Sequence, residues 1–214
     1  MRVDISKCSY IDTIQIYDNP YLNTIKLPEK MYTWFLSISD NGRIDEFDIG
    51  VFKDCEIIEL GNITLNNADF SDFEHLTELE INSCNLKKIR LDKNDKLNSL
   101  DVSYNLIEEL DLSGCYNLYK LICANNNLTK LNVTNNKKLQ KLKCSNNKLT
   151  ELDLSNNIYL DELDIRLNNI SEIDISKTDL YVNKNSDLGI QKNYKNMINY
   201  PSKNYFLNNK ALQA

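Results

Sequence analysis

The strongest constraint in this 214-residue sequence is a short segment that repeats along the chain at a constant period. Leucines at equal spacing open the successive segments, and they are Leu76, Leu97, Leu118, Leu139 and Leu160. The shared pattern reads L-x-x-L-x-L-x-x-N-x-L-x-x-L-D-L-x-x-N-x-x, so the motif L-x-x-L-x-L-x-x-N occurs twice in each repeat. Self-similarity at such a period is typical of proteins whose repeats stack on one another.

Each half of the repeat predicts one short strand with a single buried face, because its leucines alternate with other residues. One repeat is too short for a strand, a long helix and two loops, so two strands with two tight corners fit better. The pattern continues upstream with more drift, at Ile11, Ile14, Ile16, Leu36, Ile38, Ile58 and Leu60. We therefore predict a β-rich solenoid of about eight repeats over residues 1–180.

Residues 181–214 do not follow the repeat, and they are predicted to form a C-terminal cap and tail. Terminal repeats of a solenoid need a cover over their exposed core. Apolar residues at helical spacing predict a short helix for this cover, and they are Ile190, Tyr194, Met197 and Ile198.

The segments resemble leucine-rich repeats, whose core reads L-x-x-L-x-L-x-x-N/C-x-L, and the nested 21-residue form is similar to the bacterial class called IRREKO. The resemblance implies a stack with two short parallel strands per repeat, little helix, and a protein-binding role. It also implies that the corner asparagines bond backbone groups of neighbouring turns, since buried backbone groups need partners. The asparagines expected in two ladders are Asn105, Asn126, Asn147 and Asn168, and Asn94, Asn136 and Asn157.

The six cysteines raise the question of a disulfide framework or a zinc site. Their repeat positions give a simpler explanation, because the resemblance implies that Cys can replace the corner Asn. Cys8, Cys84 and Cys115 fall at corners, Cys123 and Cys144 at an inward strand position, and Cys55 at a leading-leucine position. No C-x-x-C pair occurs, so we predict no metal site and no cofactor.

The sequence contains no recognisable catalytic constellation. His75 is the single histidine, so neither a classical triad nor a His-rich metal site can be built. Phosphate-binding, dinucleotide-binding and zinc-protease motifs are absent from the sequence. Carboxylates are plentiful, but they recur with the repeat, which indicates a scaffold rather than a unique acid–base pair. We therefore predict a non-enzymatic protein with no catalytic residues.

The net charge of −6 argues against nucleic acid and anionic membrane surfaces as partners, because both favour basic faces. The N-terminus has no apolar run, and no stretch of the sequence is apolar enough to span a membrane. From these features we predict a cytoplasmic protein whose partner is another protein.

Recognition usually depends on positions that vary on a fixed scaffold. The outward positions of the first strand vary from repeat to repeat and form a small basic and aromatic island in an acidic field. The predicted partner-binding residues are Tyr104, Tyr119, Lys120, Ile122, Lys141 and Lys143. The predicted function is a protein-binding scaffold, adaptor or effector. Trp34 and Phe35 either extend this patch toward the N-terminus or belong to the core.

An alternative function uses the second strand. Aspartates recur between its inward residues, and they are Asp4, Asp48, Asp69, Asp111, Asp153 and Asp174. They could form an acidic stripe with which an inhibitor or mimic blocks a basic, nucleic-acid-binding site on a partner protein. The simpler interpretation is that each carboxylate is solvated or bonds a nearby serine.

The N-terminal end predicts a homodimer as a separate hypothesis. The sequence starts inside a half-repeat, and an uncovered strand edge invites pairing with another chain. Two copies would then meet through residues 1–20.

Overall fold

The computed structural model describes residues 1–65, 68–180 and 206–208, and it is a coil of short parallel strands. The strands in chain order are β1 (Arg2–Asp4), β2 (Thr13–Tyr17), β3 (Thr24–Lys26), β4 (Phe35–Ser39), β5 (Ile44–Phe47), β6 (Ile57–Gly61), β7 (Ile63–Leu65), β8 (Glu78–Asn82), β9 (Ser99–Asp101), β10 (Lys120–Ile122), β11 (Lys141–Lys143), β12 (Glu162–Asp164), β13 (Glu172–Asp174) and β14 (Phe206–Asn208). The described residues contain one helix, a short 3-10 helix at Ile49–Phe52. The predicted β-rich solenoid is confirmed.

One parallel sheet runs the length of the stack, with one strand from each coil. Its eight strands lie in the order β2, β4, β6, β8, β9, β10, β11, β12. Adjacent strands lie about 4.8 Å apart, so seven spacings make a stack roughly 34 Å long. The register pairs Ile14 with Leu36, Leu36 with Ile58 and Ile58 with Leu79. The upstream drift in the sequence is therefore one extra residue in each of the first two coils.

The core is one continuous apolar column enclosed by the coils. Leu97, Leu118 and Leu139 are all fully buried, as a stack of leading leucines requires. In the longer N-terminal coils the filling is partly aromatic, with the rings of Phe47 and Phe52 stacked 5.8 Å apart. Burial of apolar surface contributes about 25 cal/mol per Å² and accrues at each interface between coils.

The opposite side of the stack is less regular. β1 pairs with β3 and β5 with β7, both in parallel, while β13 pairs with β14 in antiparallel fashion. Across residues 83–161 that side runs through turns without strands. The predicted helix at Ile190–Ile198 lies outside the described residues. Within the described chain, no helix has the length and apolar character needed to cross a membrane.

Each asparagine of the first predicted ladder bonds the preceding coil as both a donor and an acceptor. The Asn147 amide donates to the carbonyls of Cys123, at 2.9 Å, and Cys144, at 3.1 Å. Its oxygen accepts the backbone N–H of Leu128 at 2.9 Å. Asn126 and Asn168 make the same pattern of bonds one coil away on either side. The predicted structural role of these asparagines is confirmed.

Each asparagine of the second ladder bonds the preceding coil as a donor only. The Asn157 amide donates to the carbonyls of Val133, at 3.0 Å, and Asn136, at 2.9 Å, whereas its buried oxygen has no hydrogen-bond partner. Asn94 and Asn136 share this arrangement. A buried acceptor without a partner costs free energy, so each second-ladder amide stabilises the stack less than a first-ladder amide.

The two ladders give a matched test of this difference. We expect Asn147→Ala to lower the free energy of unfolding by about 2–4 kcal/mol, because it leaves a buried N–H and buried carbonyls without partners. Asn157→Ala should cost about 1–2 kcal/mol less, because it also removes an orphaned oxygen. Urea denaturation followed by circular dichroism measures both. Equal losses would contradict the proposed asymmetry between the ladders.

The six cysteines are free thiols at the positions that the repeat predicts. Cys84 and Cys115 are buried at corners, where each sulfur lies 3.8 Å from a carbonyl oxygen of the preceding coil. Cys123 and Cys144 are fully buried in adjacent coils. Desolvation raises the pKa of Cys144 to about 12, so this thiol stays protonated and is a poor nucleophile at neutral pH.

Candidate binding face

The outer face of the long sheet carries two columns of side chains that point away from the core. The strand register defines a first column of Thr13, Phe35, Ile57, Glu78, Ser99, Lys120, Lys141 and Glu162. The same register defines a second column of Gln15, Ser37, Glu59, Glu80, Asp101, Ile122, Lys143 and Asp164. Neighbours in a column lie within contact distance, so the face is a two-column surface whose chemistry changes along the stack.

Five of the predicted binding residues come together in two adjacent coils. Lys120 lies beside Lys141, and Ile122 lies beside Lys143, in the register of β10 and β11. Tyr119 directly precedes β10, and 39% of its surface is exposed. These residues form one patch, the basic patch, on the sixth and seventh of the eight strands.

Tyr104 lies apart from that patch, in a corner rather than at the outward strand position that the sequence predicted. β9 ends at Asp101, so Tyr104 follows its strand, whereas Tyr119 precedes the strand of the next coil. The φ of Tyr104 is left-handed at 57°, and its side chain is 63% exposed. The corresponding corner residues share the positive φ, and they are Asp18, Asp40, Asn62, Ser83, Asn125, Asn146 and Leu167.

The left-handed corner has a clear structural purpose. It turns the N–H of Tyr104 toward the next coil, where it donates to the carbonyl of Ala124 at 3.0 Å. Asn125 and Asn146 donate to the following coil in the same way. Asparagine tolerates a positive φ better than tyrosine does, because its short polar side chain bonds locally. Tyr104 therefore holds a bulky side chain in a conformation that strains it.

Replacement of Tyr104 by asparagine should relieve this strain. We expect Tyr104→Asn to raise the free energy of unfolding by about 1 kcal/mol, as the left-handed conformation costs roughly that for a bulky residue. Tyr119→Asn is the matched control, because Tyr119 lies outside the left-handed region. Urea midpoints measure the difference. The strain argument fails if Tyr104→Asn destabilises the protein or if both variants gain equally.

The lysine charges of the basic patch are partly neutralised within the sheet. Lys143 pairs with Glu162 at 2.6 Å, and Lys141 lies 3.5 Å from the same carboxylate. The hydrogen bond from Lys143 lowers the pKa of Glu162. In the described ranges Lys120 forms no ion pair, but it lies close enough to Glu80 for its charge to oppose the rise in the pKa of that carboxyl.

A second feature of the face was not among the predicted site residues. Ser99 is small and 8% exposed, and it forms the floor of a hollow of about 40 Å³. Carboxylates of Glu78, Glu80 and Asp101 line the hollow together with Glu59. Desolvation, followed by repulsion from Asp101 and Glu59, raises the pKa of Glu80. The outward alternation of β6, β8 and β9 was the sequence signal for this cluster.

The aromatic residues beside the hollow answer a question that the sequence left open. Trp34 is 47% exposed, and Phe35 is half-buried on the outer face, so neither belongs to the core. Their rings lie 5.7 Å apart. Phe35 is next to Ile57 in the first column, which continues the apolar surface to the rim of the hollow.

Comparison with known proteins gives matches at the level of structure. No protein-family model matches the sequence, and no curated protein matches it. The chain is similar to the functional domain of InlJ from Listeria monocytogenes, with 27% identity and a TM-score of 0.67 over 80% of this chain and 37% of that one. It is also similar to a leucine-rich-repeat protein of Leptospira interrogans, with 16% identity and a TM-score of 0.49 over 71% of this chain and 50% of that one.

The repeated motif, the stacked coils and the likeness to InlJ agree on one family. The chain is a leucine-rich-repeat protein. It spans 37% of the InlJ chain that it matches. The InlJ domain includes a cysteine ladder. In this leucine-rich-repeat protein Cys123 and Cys144 are free cysteines buried in adjacent coils.

The aspartates on the other side of this leucine-rich-repeat protein bond locally. Asp111 accepts the backbone N–H of Ser113 at 2.9 Å, and Asp153 accepts that of Ser155 at 2.9 Å. Equivalent bonds join Asp4 to Ser6, Asp69 to Ser71 and Asp174 to Ser176. The simpler of the two interpretations, a bond to a neighbouring serine, is confirmed for these five aspartates, whereas Asp48 accepts the backbone N–H of Gly50. Lys26, Arg90 and Asn132 also interrupt the column, so it is not a continuous acidic stripe.

These bonds should make part of the stability of the protein depend on acid pH. Hydrogen bonds from the backbone and hydroxyl of serine lower the pKa of Asp111 and Asp153. A folded pKa below the unfolded value, about 3.9, means that the stabilisation is present above that pH and is lost as pH falls through the folded pKa. Asn132 accepts bonds from the backbone and hydroxyl of Thr134, so an amide can fill the position.

We therefore expect the double variant Asp111→Asn and Asp153→Asn to be less stable than the unmodified protein at pH 7, to approach it in stability at pH 2, and so to lose stability less steeply below about pH 4. The measurement is the free energy of unfolding in urea between pH 7 and pH 2. An unchanged slope at acid pH would show that these carboxylates are not linked to folding.

Other polar clusters on the described surface are paired internally. A cleft of about 430 Å³ opens beside the exposed His75, where Lys53 pairs with Asp72 at 2.8 Å and Lys30 lies 3.5 Å from Asp54. Among the residues that the structure describes, no group of three or more His, Cys, Asp or Glu side chains could hold a metal ion.

Proposed function

We propose that this protein is a non-enzymatic protein-binding scaffold, an adaptor or effector, that engages a macromolecular partner through the outer face of its eight-stranded sheet. The observation that carries the proposal is the contrast between the two faces of that sheet. The inward positions repeat nearly the same apolar residues at each coil, as in Leu100, Leu121 and Leu142. The outward positions of the first column change from Ser99 to Lys120 and Lys141 over the same coils, and to glutamate in the next one.

The basic patch supports this function because it combines an aromatic ring, an aliphatic side chain and lysine side chains. Tyr119, Lys120 and Ile122 lie within one coil, with Lys141 and Lys143 in the next. Tyrosine is enriched among the residues that dominate binding energy at protein interfaces. Among the predicted residues, Tyr104 adds an exposed ring at the far end of its strand.

The alternative, an acidic mimic that blocks a basic site, receives less support. The carboxylates of Asp111 and Asp153 already accept bonds within their own turns. Arg90 lies in the same column and pairs with Asp69 at 3.2 Å. A basic partner would have to compete with these contacts across a stripe that is broken.

Pairing of two copies through residues 1–20 is a separate hypothesis. Among the described strands, β2 pairs with β4 on one side only and β1 pairs with β3. Half-buried apolar side chains lie at this end, and they are Val3, Ile5, Ile11 and Ile16. Sedimentation at high concentration tests the hypothesis, and a monomer throughout would end it.

The test of the proposed function compares capture of partners from host extracts by the unmodified protein and by charge variants, with mass spectrometry as the readout. Lys120→Glu with Lys143→Glu should reduce capture of the specific partner at least tenfold, since that corresponds to about 1.4 kcal/mol. Lys130→Glu with Lys137→Glu is the matched control, because it makes the same change in net charge at two exposed positions outside the sheet.

The acidic alternative makes the opposite forecast for the same assay. If it holds, Lys120→Glu with Lys143→Glu leaves capture intact, and Asp111→Lys with Asp153→Lys abolishes it. Cross-linking of the captured partner to the sheet face or to the aspartate side then decides between them.

A further inference from the structure

We infer that the N-terminal half of the sheet face is a docking site for a basic segment of a partner protein, which rests an apolar side chain on Trp34, Phe35 and Ile57 and inserts a lysine or arginine above Ser99. The inference deepens the proposed function and rests on it, because it names the chemistry of the partner and a second contact area on the same face.

The apolar part of this area is an exposed surface that the fold itself does not need. Trp34 is 47% exposed and contacts Phe35, whose ring faces outward from β4. Ile57 continues the surface on the next strand. Tryptophan is among the residues most enriched where interfaces gain their binding energy. A partner side chain that covers these groups would gain apolar burial at about 25 cal/mol per Å².

The polar part is shaped for a small cationic group. Ser99 lies between Glu78 and Lys120 in the first column, and its short side chain leaves the hollow of about 40 Å³. That volume exceeds the roughly 10–15 Å³ that a single water molecule requires, so an ammonium group or one edge of a guanidinium fits. Oxygen atoms of the surrounding carboxylates can accept its hydrogen bonds.

Charge complementarity selects the sign of the occupant. Glu59, Glu80 and Asp101 are consecutive in the second column, and Glu78 stands beside Glu80 in β8. In the described chain no lysine or arginine forms an ion pair with these four groups, and Lys120 is the single base that lines the hollow. Like charges at neighbouring sheet positions are destabilising, and a cation between them removes the repulsion. The same field repels phosphates, so it disfavours nucleic acid and anionic lipid.

The spacing defines the segment that fits. Ile57 is two strands from Ser99 and Phe35 is three, which correspond to about 10 Å and 14 Å across the sheet. An extended segment that crosses the strands spans this with a cation and an apolar residue three to four positions apart. The partner is thus recognised by a base and an apolar anchor at this separation.

The experiment is a display selection of short random peptides on the full chain, followed by binding of the enriched peptides in fluorescence polarisation. We expect the enriched peptides to pair lysine or arginine with an aromatic or aliphatic residue, and to weaken as ionic strength rises. Ser99→Met fills the hollow and keeps all charges, and Glu80→Gln with Asp101→Asn removes charge and keeps the shape. Each should weaken binding at least tenfold, and Trp34→Ala should do the same.

Thr129→Met is the matched control for Ser99→Met, because Thr129 is exposed outside the sheet and the same side chain is introduced there. It should leave binding unchanged. Circular dichroism and thermal unfolding establish that each variant is folded, and the amide variants keep the test decisive if Ser99→Met does not fold.

The inference is overturned if the selected peptides are acidic or neutral, or if basic peptides bind all variants equally. It is also overturned if the unmodified protein enriches no peptides beyond those that Ser99→Met enriches, or if the chain self-associates through this face. Failure of the inference is distinguishable from failure of the proposed function. Suppose that the double variant Lys120→Glu with Lys143→Glu loses a host partner that Ser99→Met still captures. The proposed function then holds, and the inference that the face binds a basic segment fails. If neither face variant affects partner capture, both proposals fail.

Discussion

Everything in this molecule depends on contact between successive coils. One coil has too few residues to enclose its own leucines, and they become buried only when the coils above and below cover them. The asparagine amides at the corners reinforce this contact, because Asn147 bonds carbonyls of two coils and accepts an N–H from one of them. Apolar burial sets the stacking, and the amides fix how one coil sits on the next.

In that arrangement the side chains on the outer sheet face are not needed for stacking. The side chains of Lys120, Ile122 and Glu80 point away from the core, so the stack stays intact whichever residues fill those positions. A face of this kind can vary at every coil while the spacing between coils stays fixed by the backbone. Along this face an apolar area, a carboxylate cluster and the partly paired basic patch follow one another. The order of these three areas determines which partner surface can match the face.

The sequence predicted the repeat, the inward residues and both asparagine ladders, because each depends on a side chain that recurs in register. It also brought Lys120, Lys141 and their neighbours together correctly from the spacing of the repeat. It could not settle Trp34 and Phe35, since the longer N-terminal coils shift the frame there. The position of Tyr104 was missed because β9 already ends at Asp101, and the ion pair between Lys143 and Glu162 depends on side-chain rotamers rather than on spacing.

The corners show where the fold and the surface place different demands on one residue. At this position the backbone must be left-handed to bond the next coil, and Asn125 and Asn146 satisfy it with little strain. Tyr104 and Leu167 occupy equivalent corners with large, mostly exposed side chains that gain no burial in return. Strain held without a compensating internal contact is typical of positions that serve a surface function. Because asparagine tolerates this conformation better, it would stabilise the stack more than tyrosine or leucine does at both corners.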